Sequence, residues 1–364
     1  MQQSLRAGDW LAAQNRVGGP CGSPRIERKG ATMPRPTTIR FALAIAATAM
    51  LALSLTHPSM AAEKVRVGKA VATAFTFTPL DIGIRAGVFA KYGLDVQIIN
   101  FTGDAKLQQG LASDAVDFGL GSGPGMAFAA KGAPVRAVAA YFGAPANICV
   151  MVKEGSPINT VADLKGKIVS VTTVGSLTAW LTQRMSLHEG WGADGIKIAA
   201  TGGGQAATSA LLTGSVDAVM GASETALTLQ EKHRARLLVT MDKFVPRFIT
   251  HVIFARKAVI DQDPQKVETF VKSFFAVLQY MRTHRDETIA IADDVLHDGK
   301  GVLAQAYDSQ MPIMSKDGAF DPEALKLIKQ SWMDLKVLDK EPSDDEFLTR
   351  RFVPVKVAGG AEKK

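Results

Sequence analysis

A chain of 364 residues is long enough for two domains, and its 47% apolar content is that of an ordinary globular protein. The net charge of +7 is concentrated at the amino end: residues 1–61 hold seven basic and two acidic side chains, while residues 62–364 hold 35 and 33. The body of the chain is therefore close to neutral, which argues against a nucleic-acid-binding surface.

The first sixty residues read as a leader. Arg35 and Arg40 precede the apolar run 41–55, which is followed by Ser59-Met60-Ala61. Fifteen residues fall short of the roughly 20 needed to cross a bilayer. They match the apolar stretch of a secretory signal, with small residues at positions −3 and −1 of a cleavage site. Cleavage is expected after Ala61, with Met33 as the true start and a periplasmic mature chain. Of the two cysteines, Cys21 falls in the leader. Cys149 sits in an apolar run and reads as a buried small hydrophobe, so the mature chain forms no internal disulfide.

From residue 64 the pattern alternates strand and helix. Strands are expected at 64–70, 94–99, 116–120, 135–141 and 148–153, with helices at 80–92, 106–112 and 125–131. Gly155-Ser156-Pro157 punctuates the chain and the alternation restarts. Strands are expected at 167–172, 196–200, 218–220 and 237–240, with helices at 161–164, 177–189, 206–212 and 224–233. This order predicts an α/β fold with mostly parallel sheets covered by helices.

A repeat underlies the alternation. Residues 107–131 recur, blurred, as 207–231: Leu111 aligns with Leu211, Asp117 with Asp217 and Gly121 with Gly221 without a gap. Each copy reads as helix, strand, small-residue turn and helix, which implies two similar lobes. The strand expected at 247–256 has no counterpart in a simple second repeat. Helices follow at 263–281, 287–296, 301–314, 322–335 and 344–351. In the first of these, Val267, Phe270, Val271, Phe274, Phe275, Leu278 and Met281 share one face, as core residues do. Residues 359–364 read as a frayed polar tail.

Several stretches carry a family likeness in order and spacing. They are Pro79, Ala86-Gly-Val-Phe-Ala-Lys-Tyr-Gly-Leu-Asp-Val, Gly110, Asp117-Phe-Gly, Gly121, Lys131-Gly-Ala-Pro-Val, Val161-Ala-Asp-Leu-Lys-Gly-Lys and Leu212-Thr-Gly-Ser-Val-Asp-Ala. Across residues 64–340 the chain resembles the periplasmic solute-binding proteins of the nitrate/sulfonate/taurine ABC-importer family, which share a fold with the yeast thiamine-pyrimidine synthase. The resemblance implies a bilobed periplasmic-binding-protein type II fold: two mixed, mostly parallel sheets flanked by helices and joined by a two-strand hinge. Lobe 1 would be 63–154 plus 246–358, and lobe 2 would be 155–245. It further implies a monomeric receptor, without cofactor or metal, that delivers a small organic anion or zwitterion, sulfonate- or taurine-like, to a membrane permease. The alternatives are a receptor for a pyrimidine precursor or aromatic compound, a sensory ligand-binding module, or a pyrimidine-synthase-like enzyme on the same fold. The leader and the lack of that enzyme's Cys-rich stretch count against the enzyme.

Open α/β sheets bind ligands at the loops following their parallel strands. The expected contacts are Thr73, Phe75 and Phe77, then Gly121, Ser122 and Gly123 in lobe 1. In lobe 2 they are Thr173, Gly175, Ser176, Gly203 and Glu224. Small residues before helices leave N–H groups free for an oxyanion, though many such residues are plain N-caps. Glu224 stands where the first copy has Pro124. It could hold a ligand ammonium or amino-pyrimidine, or only stabilise a helix start by up to about 1 kcal/mol. Phe75, Phe77 and Trp180 could wall an organic ligand. No histidine has a metal-ligand or nucleophile partner at a readable spacing, His251 included, and Gly202-Gly-Gly lacks the Lys-Ser/Thr of a P-loop. No catalytic residue is expected.

Overall fold

The structure, a computed structural model, describes residues 62–356. The leader with its expected cleavage site and the tail at 359–364 lie outside the described residues. Ten strands occur in chain order: β1 (Glu63–Lys69), β2 (Leu94–Asn100), β3 (Phe118–Ser122), β4 (Val135–Phe142), β5 (Ile148–Lys153), β6 (Ile168–Val171), β7 (Lys197–Ala200), β8 (Ala218–Ala222), β9 (Ala235–Thr240) and β10 (His251–Arg256). They form two five-stranded mixed sheets, ordered β2-β1-β3-β10-β4 and β7-β6-β8-β5-β9. In the first, β1 runs parallel to β2 and β3, and β10 lies antiparallel between β3 and β4. The second repeats this, with β6 parallel to β7 and β8 and β5 antiparallel between β8 and β9.

Two expectations change here. A boundary at 154/155 assigns β5 to the first lobe, yet it pairs entirely within the second sheet. The strand at β10 does have a repeat partner, namely β5. His251 of β10 stands opposite Ser122, as Ile148 of β5 stands opposite Ala222. The fifth strand of each repeat thus completes the other repeat's sheet, and the chain crosses between the lobes at 143–147 and 241–250. Both strands are buried along nearly their whole length, as continuous apolar runs at central positions must be.

Helices α1 (Pro79–Arg85), α2 (Val88–Lys91), α3 (Asp104–Ala112) and α4 (Met126–Ala130) belong to the first half of the chain, and α5 (Leu177–His188), α6 (Gln205–Thr213) and α7 (Ser223–Glu231) to the second. The expected helix at 80–92 is divided between α1 and α2 by Gly87, whose φ of 67° a side chain would disfavour. After β10 come α8 (Lys257–Gln262), α9 (Pro264–Thr283), α10 (Arg285–Leu296), α11 (Lys300–Gln310) and α12 (Pro322–Asp334). Helix α9 starts as its sequence dictates: Asp263 accepts a hydrogen bond from the Lys266 N–H at 3.0 Å, with Pro264 in the first turn. Its seven-residue apolar stripe is buried, and Phe270 stacks on Phe118 of β3 with ring centroids 4.3 Å apart. Each such side chain contributes about 1.5–3 kcal/mol. The helix expected at 344–351 is only a 3₁₀ turn, Asp344–Glu346, capped by Ser343.

The repeated residues have structural roles. The Asp117 carboxylate accepts the Arg66 N–H at 3.0 Å while the Asp117 N–H donates to the Arg66 carbonyl at 2.8 Å. Asp217 does the same to Ile168, at 2.8 and 2.9 Å. Each aspartate thus clamps the start of β3 or β8 to its parallel neighbour. Gly121 and Gly221 admit the exchanged strands: a Cβ at Gly121 would meet Phe254 at 2.9 Å, and one at Gly221 would meet Met151 at 3.2 Å.

Asp117 also pairs with the Arg66 and Arg256 guanidiniums at 2.7 and 3.3 Å. Burial pushes its carboxyl up, but the Arg66 side chain and backbone more than offset this and hold it below the usual range. Asp117→Ala is therefore expected to lower stability at pH 7 by about 2–4 kcal/mol, and Asp217→Ala, which breaks no ion pair, by about 1 kcal/mol. Because the folded value is depressed, the Asp117 contribution is present above pH ~4 and fades as pH falls further. Urea unfolding of both variants checks the order; equal losses would refute the ion-pair contribution.

Candidate ligand cleft

The loops at the carboxyl ends of the parallel strands converge on a cavity of about 70 Å³ between the two sheets. From the first lobe it receives Thr73, Thr76 and Phe77, then Asp104 at the start of α3, Ser122 at the end of β3 and His251 at the start of β10. From the second it receives Ile148, Thr172, Leu177, Thr178, the Gly202–Gly204 turn before α6, Thr208 and Thr225. Among the described residues no Lys or Arg lines it.

Asp104 is buried at the floor. Its carboxylate accepts hydrogen bonds from the Ser122 N–H and hydroxyl, both at 2.9 Å, and from the Leu177 N–H of the other lobe at 3.3 Å. Among the described residues no cation pairs with it. Burial pushes its carboxyl above the usual range, against the pull of these three donors. The Ser122 hydroxyl spends its proton on Asp104 and also accepts from the Gly125 N–H at 3.1 Å.

His251 faces Ser122 in the strand register and is enclosed by Phe77, Tyr141 and Phe142, with ring centroids 5.0, 5.7 and 5.7 Å away. Neither ring nitrogen completes a hydrogen bond. Burial pushes the imidazole down to about 3, the Gly121 backbone pulling weakly the other way. The ring is therefore neutral at physiological pH. Ser122, His251 and Asp104 do not form a catalytic triad, because the hydroxyl is bound to the carboxylate and not to the imidazole. Burial pushes the Cys149 thiol far above its ordinary range, so it is no nucleophile. Among the described residues, no group of three or more His, Cys, Asp or Glu side chains is placed to hold a metal.

Of the residues expected from sequence, Thr73, Phe77, Ser122 and Gly203 line the cavity. The others lie outside its lining. The Phe75 ring is buried edge-on to Tyr307 at 6.4 Å. Gly121 and Gly123 lie behind the wall, and a Cβ on Gly123 would sit 2.0 Å from the Ile249 carbonyl. Ser176 caps α5 by accepting the Ala179 N–H at 3.3 Å. Gly175 lines a separate cavity of about 60 Å³ with Phe128, Trp180 and Trp332. Trp180 stacks on Phe248 of the second crossing at 4.4 Å. Thr173 packs against Gly103 of the first lobe.

Glu224 is buried and spans the two lobes. It accepts the Phe75 N–H at 2.6 Å and the Gln310 amide at 3.1 Å. Burial pushes its carboxyl up, with the Phe75 N–H opposing. The cavity-facing carboxylate is instead Asp104. Its signal is faint, because α3 begins at Asp104, three residues before its first large apolar position, Leu107. His251 lies in the expected strand but shows no partner at a readable sequence spacing, because Ser122 and Phe77 reach it only through the fold. The usable clue was a polar residue at the head of an otherwise apolar run.

Residues 74–288, more than half of the chain, match the family described as NMT1/THI5 like. The chain belongs to the NMT1/THI5-like family. A Bacillus subtilis (strain 168) protein named for aliphatic sulfonate binding is 27% identical over 248 residues, covering 65% of this chain and 72% of its own. A Haemophilus influenzae protein named for thiamine biosynthesis is 26% identical over 242 residues, covering 65% and 75%. Among solved structures, the alkanesulfonate-binding protein SsuA from Xanthomonas axonopodis pv. citri, bound to MOPS, superposes with a TM-score of 0.69 at 18% identity, covering 79% of this chain and 98% of its own. This likeness shows that the NMT1/THI5-like chain shares its two-sheet fold with a binding protein.

The buried neutral imidazole makes a signed pH prediction. Its folded value, about 3, lies below the unfolded value near 6.5, so the contribution is present above pH ~6.5 and is lost as pH falls towards 3. His251→Phe fits the aromatic surround and removes the titration. Relative to this variant, the wild type should lose about 2 kcal/mol between pH 7 and 5, read by urea unfolding. A pH-independent difference would mean that His251 titrates in the folded chain as it does in the unfolded one, which would refute its burial as a neutral ring.

Proposed function

We propose that this chain is the exported receptor of an ABC importer, holding a small organic zwitterion of aminosulfonate type between its lobes and presenting it to a membrane permease. The observation that carries the ligand class is Asp104, a buried carboxylate on the cavity wall with no cation beside it. An ionised carboxylate so placed is costly unless a positive group joins it, and a ligand ammonium supplies that group. The second lobe offers the complement. Among the described residues the N–H groups of Gly203 and Gly204, at the start of α6, donate to no protein acceptor, and Thr172 and Thr208 line the same wall. Free N–H groups at a helix start, with the positive end of its dipole, suit an oxyanion.

A ligand held at both ends bridges the lobes and shifts the population towards the closed form that a permease recognises. The receptor acts as a monomer, needs no cofactor and catalyses no reaction. The family's sulfonate-named relative supports this reading. An amino-pyrimidine is the second reading, favoured by Phe77 and His251 as ring-stacking partners and by Asp104 as acceptor for an exocyclic amine.

Calorimetric titration of residues 62–364 with 3-aminopropanesulfonate and with propane-1-sulfonate tests the assignment. The aminosulfonate should bind more tightly. Asp104→Asn should weaken it at least tenfold, about 1.4 kcal/mol, while leaving the simple sulfonate unchanged or improved. Tighter binding of propane-1-sulfonate by the wild type would reverse the assignment. Binding of 4-amino-5-hydroxymethyl-2-methylpyrimidine alone would favour the second reading.

A further inference from the structure

We infer that the two lobes close on each other through a pseudo-twofold clasp, in which Gly103 and Gly204 are the positioning residues that permit closure. The inference rests on the receptor reading for its purpose, but its geometry is independent of any ligand. The loop after the first strand of each lobe, at Thr73–Phe75 in one and Thr173–Leu177 in the other, is gripped by the opposite lobe in the same two ways.

The first grip is a glycine against a threonine. Gly103, at the entry to α3, lies so close to Thr173 that a Cβ would stand 2.7 Å from both its Oγ1 and its Cγ2. Gly204, at the entry to α6, lies so close to Thr73 that a Cβ would stand 2.9 Å from its Oγ1. The second grip is a carboxylate on a backbone N–H. Asp104 of the first lobe accepts from Leu177 at 3.3 Å, and Glu224 of the second accepts from Phe75 at 2.6 Å. In the strand registers Val67 stands opposite Phe118 as Val169 stands opposite Ala218. Phe75 and Leu177 each open the helical segment that follows the first strand of their lobe. Both carboxylates therefore bind equivalent donors.

Two consequences follow. The glycines are required by contact across the cleft as well as by their φ of 122° and 60°, so any side chain there wedges the lobes apart. The helix-start donors at Phe75 and Leu177 are also filled by the chain's own carboxylates. A ligand oxyanion is thereby directed to the remaining donors at Gly203 and Gly204. The clasp sets both the open–closed balance and the direction in which a zwitterion lies.

A substitution cycle separates wedging from simple loss of fold. Gly103→Ala introduces the clash, and adding Thr173→Ala removes the two atoms that cause it, while the backbone strain at residue 103 is the same in both variants. With the chain alone, hydrogen exchange read by mass spectrometry should accelerate at least tenfold in Gly103→Ala. The acceleration is expected in the peptides spanning 72–78, 173–179 and 202–208, with the β3 and β10 peptides unchanged. The double variant should regain protection to within about threefold of wild type. In parallel, 3-aminopropanesulfonate should bind Gly103→Ala at least tenfold more weakly, mainly through faster dissociation, and the double variant should recover. Unchanged exchange in Gly103→Ala, acceleration confined to the 173–179 peptide, or no recovery in the double variant would overturn the clasp. Exchange behaving as expected while the wild type ignores the aminosulfonate would overturn the ligand assignment alone.

Discussion

The exchange of β5 and β10 is the constraint from which the rest of the molecule follows. Each is an apolar strand buried at the centre of its sheet's antiparallel half, and each is delivered from the opposite lobe. The second sheet is one continuous stretch, 148–240, set into the chain between β4 and β10 of the first, so the lobes are tied by two crossings. These crossings are hydrogen-bonded to each other, the Thr250 N–H donating to the Phe142 and Gly143 carbonyls at 2.9 and 3.1 Å. Two adjacent strands of backbone allow rotation about one another far more readily than sliding. Hinge-like opening is the motion such a joint permits.

The exchange also sets the cleft. Because β10 and β5 enter their sheets antiparallel to β3 and β8, their first residues lie beside the last residues of those strands, at the edge where ligands bind. His251 beside Ser122 and Ile148 beside Ala222 are therefore equivalent corners of one cavity. The backbone there is nearly two-fold, and the chemistry is not. The first lobe places a carboxylate, a hydroxyl and an imidazole where the second places the Gln205 amide, an alanine and an isoleucine. One wall carries a buried carboxylate, and the other carries the Gly203 and Gly204 N–H groups, which meet no protein acceptor among the described residues. A pseudo-symmetric frame thus gains a direction from side chains alone.

Much of this frame was legible in the residues. Asp117 and Asp217 recur because each closes the same pair of hydrogen bonds between parallel strands, a local requirement that leaves a fixed spacing. The stripe on α9 was readable because burial acts on each residue separately and repeats every turn. The loops around the cavity could be named because the carboxyl ends of parallel strands follow from strand order. The individual contacts in those loops were less accessible. Thr173 and Gly175 are displaced from the cavity by a single loop's path, and Glu224 is drawn towards the Phe75 N–H, 149 residues away.

By itself, then, the sequence determined the α/β class, the two-fold repeat, the core faces and the family, all of which rest on local periodicity and on short-range spacing. Only the tertiary structure decided which sheet owns β5, that β10 mirrors it in the other sheet, and that Asp104 and His251 line the cavity while Glu224 bridges the lobes. The physical reason is that a strand's apolar pattern records how deeply it is buried and not which strands it pairs with. A carboxylate's partner, likewise, is chosen by whichever distant N–H the finished fold brings within hydrogen-bonding reach.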